Sequence, residues 1–166
     1  MRIKSGNYAF IDAQNLHRGI KSLGWKLDWE RFRVYLNEKY GVDVAYIFIG
    51  YSPENKELYV YLQKAGYVLV YKPVIPNGEG GAKGNVDADL VLQVMLDFNR
   101  YKKAVIISSD GDFYSLIKHL YDKDKLELVI SPYKKTCSVL LRKSAREKIV
   151  FINNLEKLLG KKKSTA

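Results

Sequence analysis

The chain has 166 residues, 47% of them hydrophobic and 28% charged, the balance of one folded domain with a true core and not of a disordered segment. Its 28 Lys and Arg against 18 Asp and Glu leave a formal charge of +10, which favours polyanionic partners, nucleic acid first and an acidic membrane surface second. A single cysteine, Cys137, and two histidines, His17 and His119, exclude an internal disulfide and a structural zinc site.

Residues 1–6 lack the apolar core of a signal peptide. No apolar stretch approaches the roughly 18 residues that a spanning helix needs. A reduced, cytoplasmic chain without a membrane partner is expected. The first apolar run, Tyr8-Ala9-Phe10-Ile11, is continuous and ends at Asp12, so it reads as a strand buried on both faces. A helical segment over 15–23 follows, then a helix over 28–40 with Asp28 as N-cap and Gly41 as its stop. Residues 42–49 are the second strand. Ser52 and Pro53 open a helix to 65 that Gly66 ends, and 67–71 are the third strand. The stretch 72–84, rich in proline and glycine, reads as a long surface loop. A helix over 86–100, a strand over 104–108, a helix over 111–123 and a strand over 126–130 come next. Shorter elements close the chain: a helix over 138–145, a strand over 149–152 and a helix over 154–159. Residues 1–160 read as a single domain and 161–166 as a basic C-terminal tail.

Continuous apolar strands alternating with helices are the pattern of a Rossmann-like α/β fold, a parallel sheet with helices on both faces. The expected strand order is 3-2-1-4-5. Ligands of such sheets gather at the C-terminal strand ends, near the point where the order reverses. Asp12 ends strand one, and Asp110 and Asp112 follow strand four, so this order brings them to one crevice. Helix N-capping is an equally good account of Asp110 and Asp112 taken alone. In the helix over 86–100 the apolar face holds Leu90, Val91, Val94, Met95 and Phe98. At about 100° per residue Asp87 falls within that sector, in line with Val94 and Phe98, whereas Asp89 points away from it. Clustered carboxylates repel one another unless a cation sits among them, and hard divalent ions with oxygen ligands, Mg²⁺ or Mn²⁺, fit such a cluster. An acidic metal site within a basic surface suits metal-assisted phosphodiester hydrolysis. The glycine-rich run 78–84 matches neither a P-loop nor G-x-G-x-x-G. There is no G-x-S-x-G elbow, and Cys137 has no local base, so it reads as a small buried residue.

Three blocks carry a family resemblance: Phe10-Ile11-Asp12-Ala13-Gln14-Asn15-Leu16, Lys83-Gly84-Asn85-Val86-Asp87, and Ser108-Ser109-Asp110-Gly111-Asp112-Phe113. In this order and spacing they resemble the signature blocks of the NYN domain family, part of the PIN-like nuclease superfamily. The likeness spans about residues 6 to 159. It implies a PIN-like fold and a metal-dependent endoribonuclease using Mg²⁺ or Mn²⁺. Asp12, Asp87, Asp110 and Asp112 would be the metal ligands, and Asn15 would orient water or a phosphate beside them. Lys83 would contact the scissile phosphate, although a loop lysine is as often only solvated. Ser109, where the family commonly has glycine, and Arg18, beside the first block, complete the expected substrate-binding set. Lys134, Lys135, Arg142, Lys143, Arg146 and Lys148 are a second candidate phosphate stripe. The tyrosines offer stacking surfaces for unpaired bases, with core packing the commoner use. RNA is the expected partner, with DNA, a homodimer, a non-catalytic RNA-binding module and another Rossmann-like nuclease or primase left open.

Overall fold

A computed structural model describes residues 6–73 and 86–162. Six parallel strands form one sheet in the order β3-β2-β1-β4-β5-β6. They run over Asn7–Asp12 (β1), Val42–Gly50 (β2), Tyr67–Lys72 (β3), Ala104–Ile107 (β4), Leu126–Ser131 (β5) and Ile149–Phe151 (β6). The helices cover Ala13–Ser22 (α1), Trp29–Tyr40 (α2), Lys56–Lys64 (α3), Asp87–Leu96 (α4), Tyr114–Asp122 (α5), Val139–Ala145 (α6) and Glu156–Leu159 (α7). The expected order 3-2-1-4-5 is therefore present, and β6 extends it by one strand beside β5.

The sheet is covered on both faces, and strand parity decides which side chain enters which layer. Ala9, Ile11, Val105 and Ile107 pack with Leu16 and Ile20 of α1 and Phe32 and Leu36 of α2. Phe10, Ala104 and Ile106 pack on the other face with Leu90 and Val94 of α4, Ile117 and Leu120 of α5, and Leu141 of α6. Asp12 has the parity of Phe10. Its strand therefore delivers the carboxylate toward the layer that α4 occupies.

Helix ends follow local chemistry. Asp12 Oδ1 accepts the Asn15 backbone N–H at 3.3 Å, so α1 starts at Ala13, two residues earlier than expected. Asp28 caps α2 in the same way, accepting from Arg31 N at 3.1 Å. Gly41 closes α2 at φ 62°, a left-handed position where a side chain would be strained. The helix expected over 86–100 stops at Leu96. There the buried carboxylate of Asp97 takes the Tyr46 hydroxyl at 2.7 Å and Gln93 Nε2 at 2.9 Å, and the chain tightens into a turn closed by Arg100 N on Asp97 O at 2.7 Å. The segments opening at Pro53 and Gly111 each begin as a 3-10 turn before α3 and α5. Near the C-terminus, Leu27 and Gly160 form an antiparallel bridge, and Lys161 donates its backbone N–H to Lys26 O at 2.8 Å. Lys161 is thereby fixed beside the α1–α2 connection.

Candidate functional site

The reversal of strand order lies between β1 and β4, and their C-terminal ends open into a groove of about 1700 Å³. Asp12, Asn15, Asp87, Ser109, Asp110 and Asp112 all line it. Arg18 lines it from α1, with His17 beside it. The structure thus brings together every expected site residue but Lys83, which lies outside the described residues with Gly84 and Asn85.

Among the described residues, Asp87, Asp110 and Asp112 each place a carboxylate oxygen within 4.8 Å of the others. Asp87 is the first residue of α4, and Asp110 and Asp112 flank the start of the 3-10 turn before α5. The capping role expected of Asp110 is present too, since its Oδ1 accepts the Asp112 backbone N–H at 2.9 Å. Capping uses one lone pair of one oxygen and leaves the carboxylate able to bind a cation.

Asp12 sits deeper, at 6% exposure, and is not one of the three acids of that set. Burial pushes its carboxyl above the usual range; the Asn15 N–H pulls it down, and the Asp110 charge pushes it up again. The Ser108 hydroxyl and Arg18 are the smaller lowering influences. Ser108 joins the two strand ends: its Oγ donates to Asp12 Oδ2 at 3.4 Å and accepts the Asp110 N–H at 3.1 Å.

Asn15 has a more structural position than the motif implies. Its Oδ1 accepts both the backbone N–H of Ser109, at 2.8 Å, and the Ser109 hydroxyl, at 2.9 Å. The loop after β4 is thereby tied to α1, which leaves the Asn15 NH₂ as the group that could donate to a phosphate. Ser109 is correspondingly turned toward Asn15. The same loop is held from the other side by α6. Ser138 N donates to Ser109 O at 3.1 Å, and the Ser138 side chain lies where a Cβ on Gly111 would stand.

Several groove residues escaped the sequence reading. Lys26 and Lys161 are separated in sequence and meet only because the chain end returns to the α1–α2 connection. Tyr51, just past β2, lines the groove as well. Ser138 could have been suspected from the glycine set between two acids, since a missing Cβ often marks a close approach. The second basic stripe does not form as expected. Lys134 and Lys135 follow the C-terminal end of β5, whereas Arg146 and Lys148 lie over the Tyr121 ring near the start of that strand, where Lys148 Nζ reaches Leu126 O at 2.9 Å. The intervening α6 carries the chain from one edge of the sheet to the other. His119, expected to be structural, is exposed on α5 with its ring 6.0 Å from Phe98. His17 is exposed at the rim, and partial burial with Lys21 and Lys26 nearby keeps its pKa low.

The NYN domain family model matches residues 8–153. The chain belongs to the NYN domain family, in the PIN-like nuclease superfamily. This NYN domain also has a structural counterpart in a protein of unknown function from Vibrio parahaemolyticus RIMD 2210633. The two share 21% identity with a TM-score of 0.78, over 96% of this chain and 99% of the other, a likeness of fold. A PLP-bound chain of Clostridium difficile 630 described as an aminotransferase matches at 13% identity and a TM-score of only 0.34, over 82% of this chain and 42% of that one. No curated protein matches at a significant level. Nucleases of this superfamily use divalent metals on nucleic acid, and the Asp87, Asp110 and Asp112 cluster of this NYN domain could bind such an ion. Among the described residues no helix is long and apolar enough to cross a membrane.

Proposed function

We propose that this NYN domain is a metal-dependent endoribonuclease, cytoplasmic, with Mg²⁺ or Mn²⁺ held by Asp87, Asp110 and Asp112. The observation that carries the reading is the mutual 4.8 Å spacing of those three acids at the strand-order reversal of a chain with formal charge +10. The donor set is all carboxylate oxygen, which suits hard divalent cations, and soft-metal ligands are lacking there. When bound, such an ion activates water and stabilises charge on the leaving oxygen of a phosphodiester.

The protein's own groups supply the rest. Asp110 and Asp112 are aimed by one tight turn, and Asp87 by the start of α4, so the set is positioned by two backbone segments before any ligand arrives. Asp12, buried behind them, adds negative charge that favours a cation and accepts a proton more readily than an ordinary aspartate. Asn15 and Ser108 keep β1 and β4 in register at this edge. Arg18 on the groove wall is a counter-charge for the phosphate backbone, and Lys83, from the block preceding Asp87, belongs to the same role.

The test is cleavage of labelled single-stranded RNA, hairpin RNA and single-stranded DNA with Mn²⁺, Mg²⁺ or EDTA. Asp87→Asn prepared in parallel is the control for contaminating nuclease. Metal-dependent cutting of RNA that disappears in the variant is the expected result. Equal cutting by both preparations, or tight RNA binding with no cutting by either, would refute it in favour of a binding module.

A further inference from the structure

The groove is not uniform in chemistry. α1 and the segment after it contribute cations, Arg18 and Lys26, with Lys161 fixed beside Lys26. The end of β2 and the start of α3 contribute instead an apolar and aromatic lining, Tyr51, Pro53 and Leu58. A nucleic-acid strand has the matching division, charged along its backbone and flat and apolar on the faces of its bases.

Tyr51 is 39% exposed, yet its position is set before any ligand arrives. Its backbone N–H donates to Lys72 O at 3.0 Å, carrying the β2–β3 ladder one residue further. Its ring stacks on Tyr59, centroids 5.8 Å apart at 27°, and meets the edge of Tyr71 at 5.5 Å. Tyr59 is itself locked, its hydroxyl accepting from Ser52 N at 2.8 Å and donating to Gly50 O at 3.2 Å. An aromatic ring backed by a second, fixed ring loses little freedom when a third plane is laid on it. Three other tyrosines are used differently. Tyr46, Tyr67 and Tyr101 direct their hydroxyls to Asp97, Trp29 O and Val94 O within the packed layers.

We propose that Tyr51 is a stacking platform for an unpaired nucleobase, with the strand's phosphates along Arg18, Lys26 and Lys161, so that the substrate of this groove is a single strand. The inference rests on the nuclease reading above for its choice of ligand. The face of a base is available to Tyr51 only when the base is unstacked, which a regular duplex does not offer. Asp12 pairs in register with Phe48, and Tyr51 lies three residues beyond it, about 10 Å further along the strand direction. A base on Tyr51 therefore belongs to a nucleotide flanking the one at the acidic cluster.

The experiment compares the whole chain with Tyr51→Ala, Tyr51→Leu and Tyr51→Phe. Fluorescence anisotropy is read in EDTA, where metal-dependent cutting is stopped, against a short labelled RNA strand and the same strand annealed to its complement. The expected result is that Tyr51→Ala and Tyr51→Leu weaken single-strand binding about 5- to 100-fold while Tyr51→Phe keeps it, with weaker duplex binding indifferent to all three. The Leu and Phe pair separates a π-face from mere bulk, and holds even where the alanine variant is unstable. Equal single-strand affinity across the series overturns the platform, as does a wild type that prefers the duplex. Adding Mn²⁺ then separates the two ideas: a Tyr51→Ala protein that binds and cuts like wild type refutes the platform and leaves the nuclease standing. A wild type that binds through Tyr51 yet never cuts refutes the nuclease and leaves the platform.

Discussion

Gly111→Ala probes the clamp that aims the acidic cluster. A Cβ at this position would overlap Ser138 Oγ and stand 3.0 Å from Ser138 Cβ and 3.9 Å from Leu140 Cβ. Ser138 is the N-cap of α6, its Oγ accepting the Leu141 N–H at 3.4 Å, and it can yield space only by rotating out of that bond. Loss of such a cap costs about 1 kcal/mol, and crowding by one extra methyl about 1–3 kcal/mol. Against this, removing a glycine from the unfolded chain returns about 0.4–1 kcal/mol. The net destabilisation is about 1–3 kcal/mol, which lowers Tm by about 3–10 °C for a chain of this size. Thermal unfolding of Gly111→Ala, Ser138→Ala and the double variant checks this. Because both changes act on one contact, the double variant should be less destabilised than the sum, by about 1 kcal/mol. An unchanged Tm for Gly111→Ala, or strictly additive effects, would refute the clamp.

Three further outcomes follow from the same geometry. Wild type should gain about 2.7 kcal/mol of stability when Mn²⁺ or Mg²⁺ is raised to a hundredfold excess over its dissociation constant, and Asp87→Asn should lose most of that gain in the same titration. Asp12→Asn should raise Tm in metal-free buffer near neutrality: burial raises the folded-state pKa of this acid above its ordinary 3.8, so its contribution is intact below 3.8 and is lost as pH rises through the folded value. The advantage of the variant should therefore vanish on acidification, and a variant less stable than wild type at both pH values would mark Asp12 as a structural anchor. Lys26→Ala combined with Lys161→Ala should reduce the salt dependence of single-strand RNA binding by about 1.4 in the log–log slope, measured by anisotropy across a salt series.

What was legible in the sequence was whatever depended on neighbours along the chain. The apolar runs locate all six strands closely, because parallel strands buried on both faces leave no other use for segments such as Ala104-Val105-Ile106-Ile107. Asp12, Asp87 and the Asp110 and Asp112 pair could be placed at one sheet edge because each ends a strand or begins a helix beside it. The angular count that set Asp87 on the inner side of α4 agrees with its place in the cluster. Lys26 beside Lys161 was not legible, since their meeting depends on a bridge between Leu27 and Gly160 that no local pattern announces. Nor was the use of Asn15 Oδ1 on Ser109, because a motif names a residue and not which of its atoms is already engaged. The split of the second basic stripe is likewise not local information, since α6 runs between Lys134 and Lys135 on one side and Arg146 and Lys148 on the other.

The pairing of β1 with β4 has a kinetic meaning as well. Ser108 and Asp12 meet across 96 positions of sequence, where β4 pairs alongside β1. Long-range parallel pairing of this kind forms slowly, since a large loop must close before the contacts reward it. On the ribosome, a nascent chain that has not yet released β4 holds Asp12 and Asp87 with no partner strand to join them. The acid cluster is therefore complete only once β4 has paired with β1, so a cation can be held there only after this long-range step of folding.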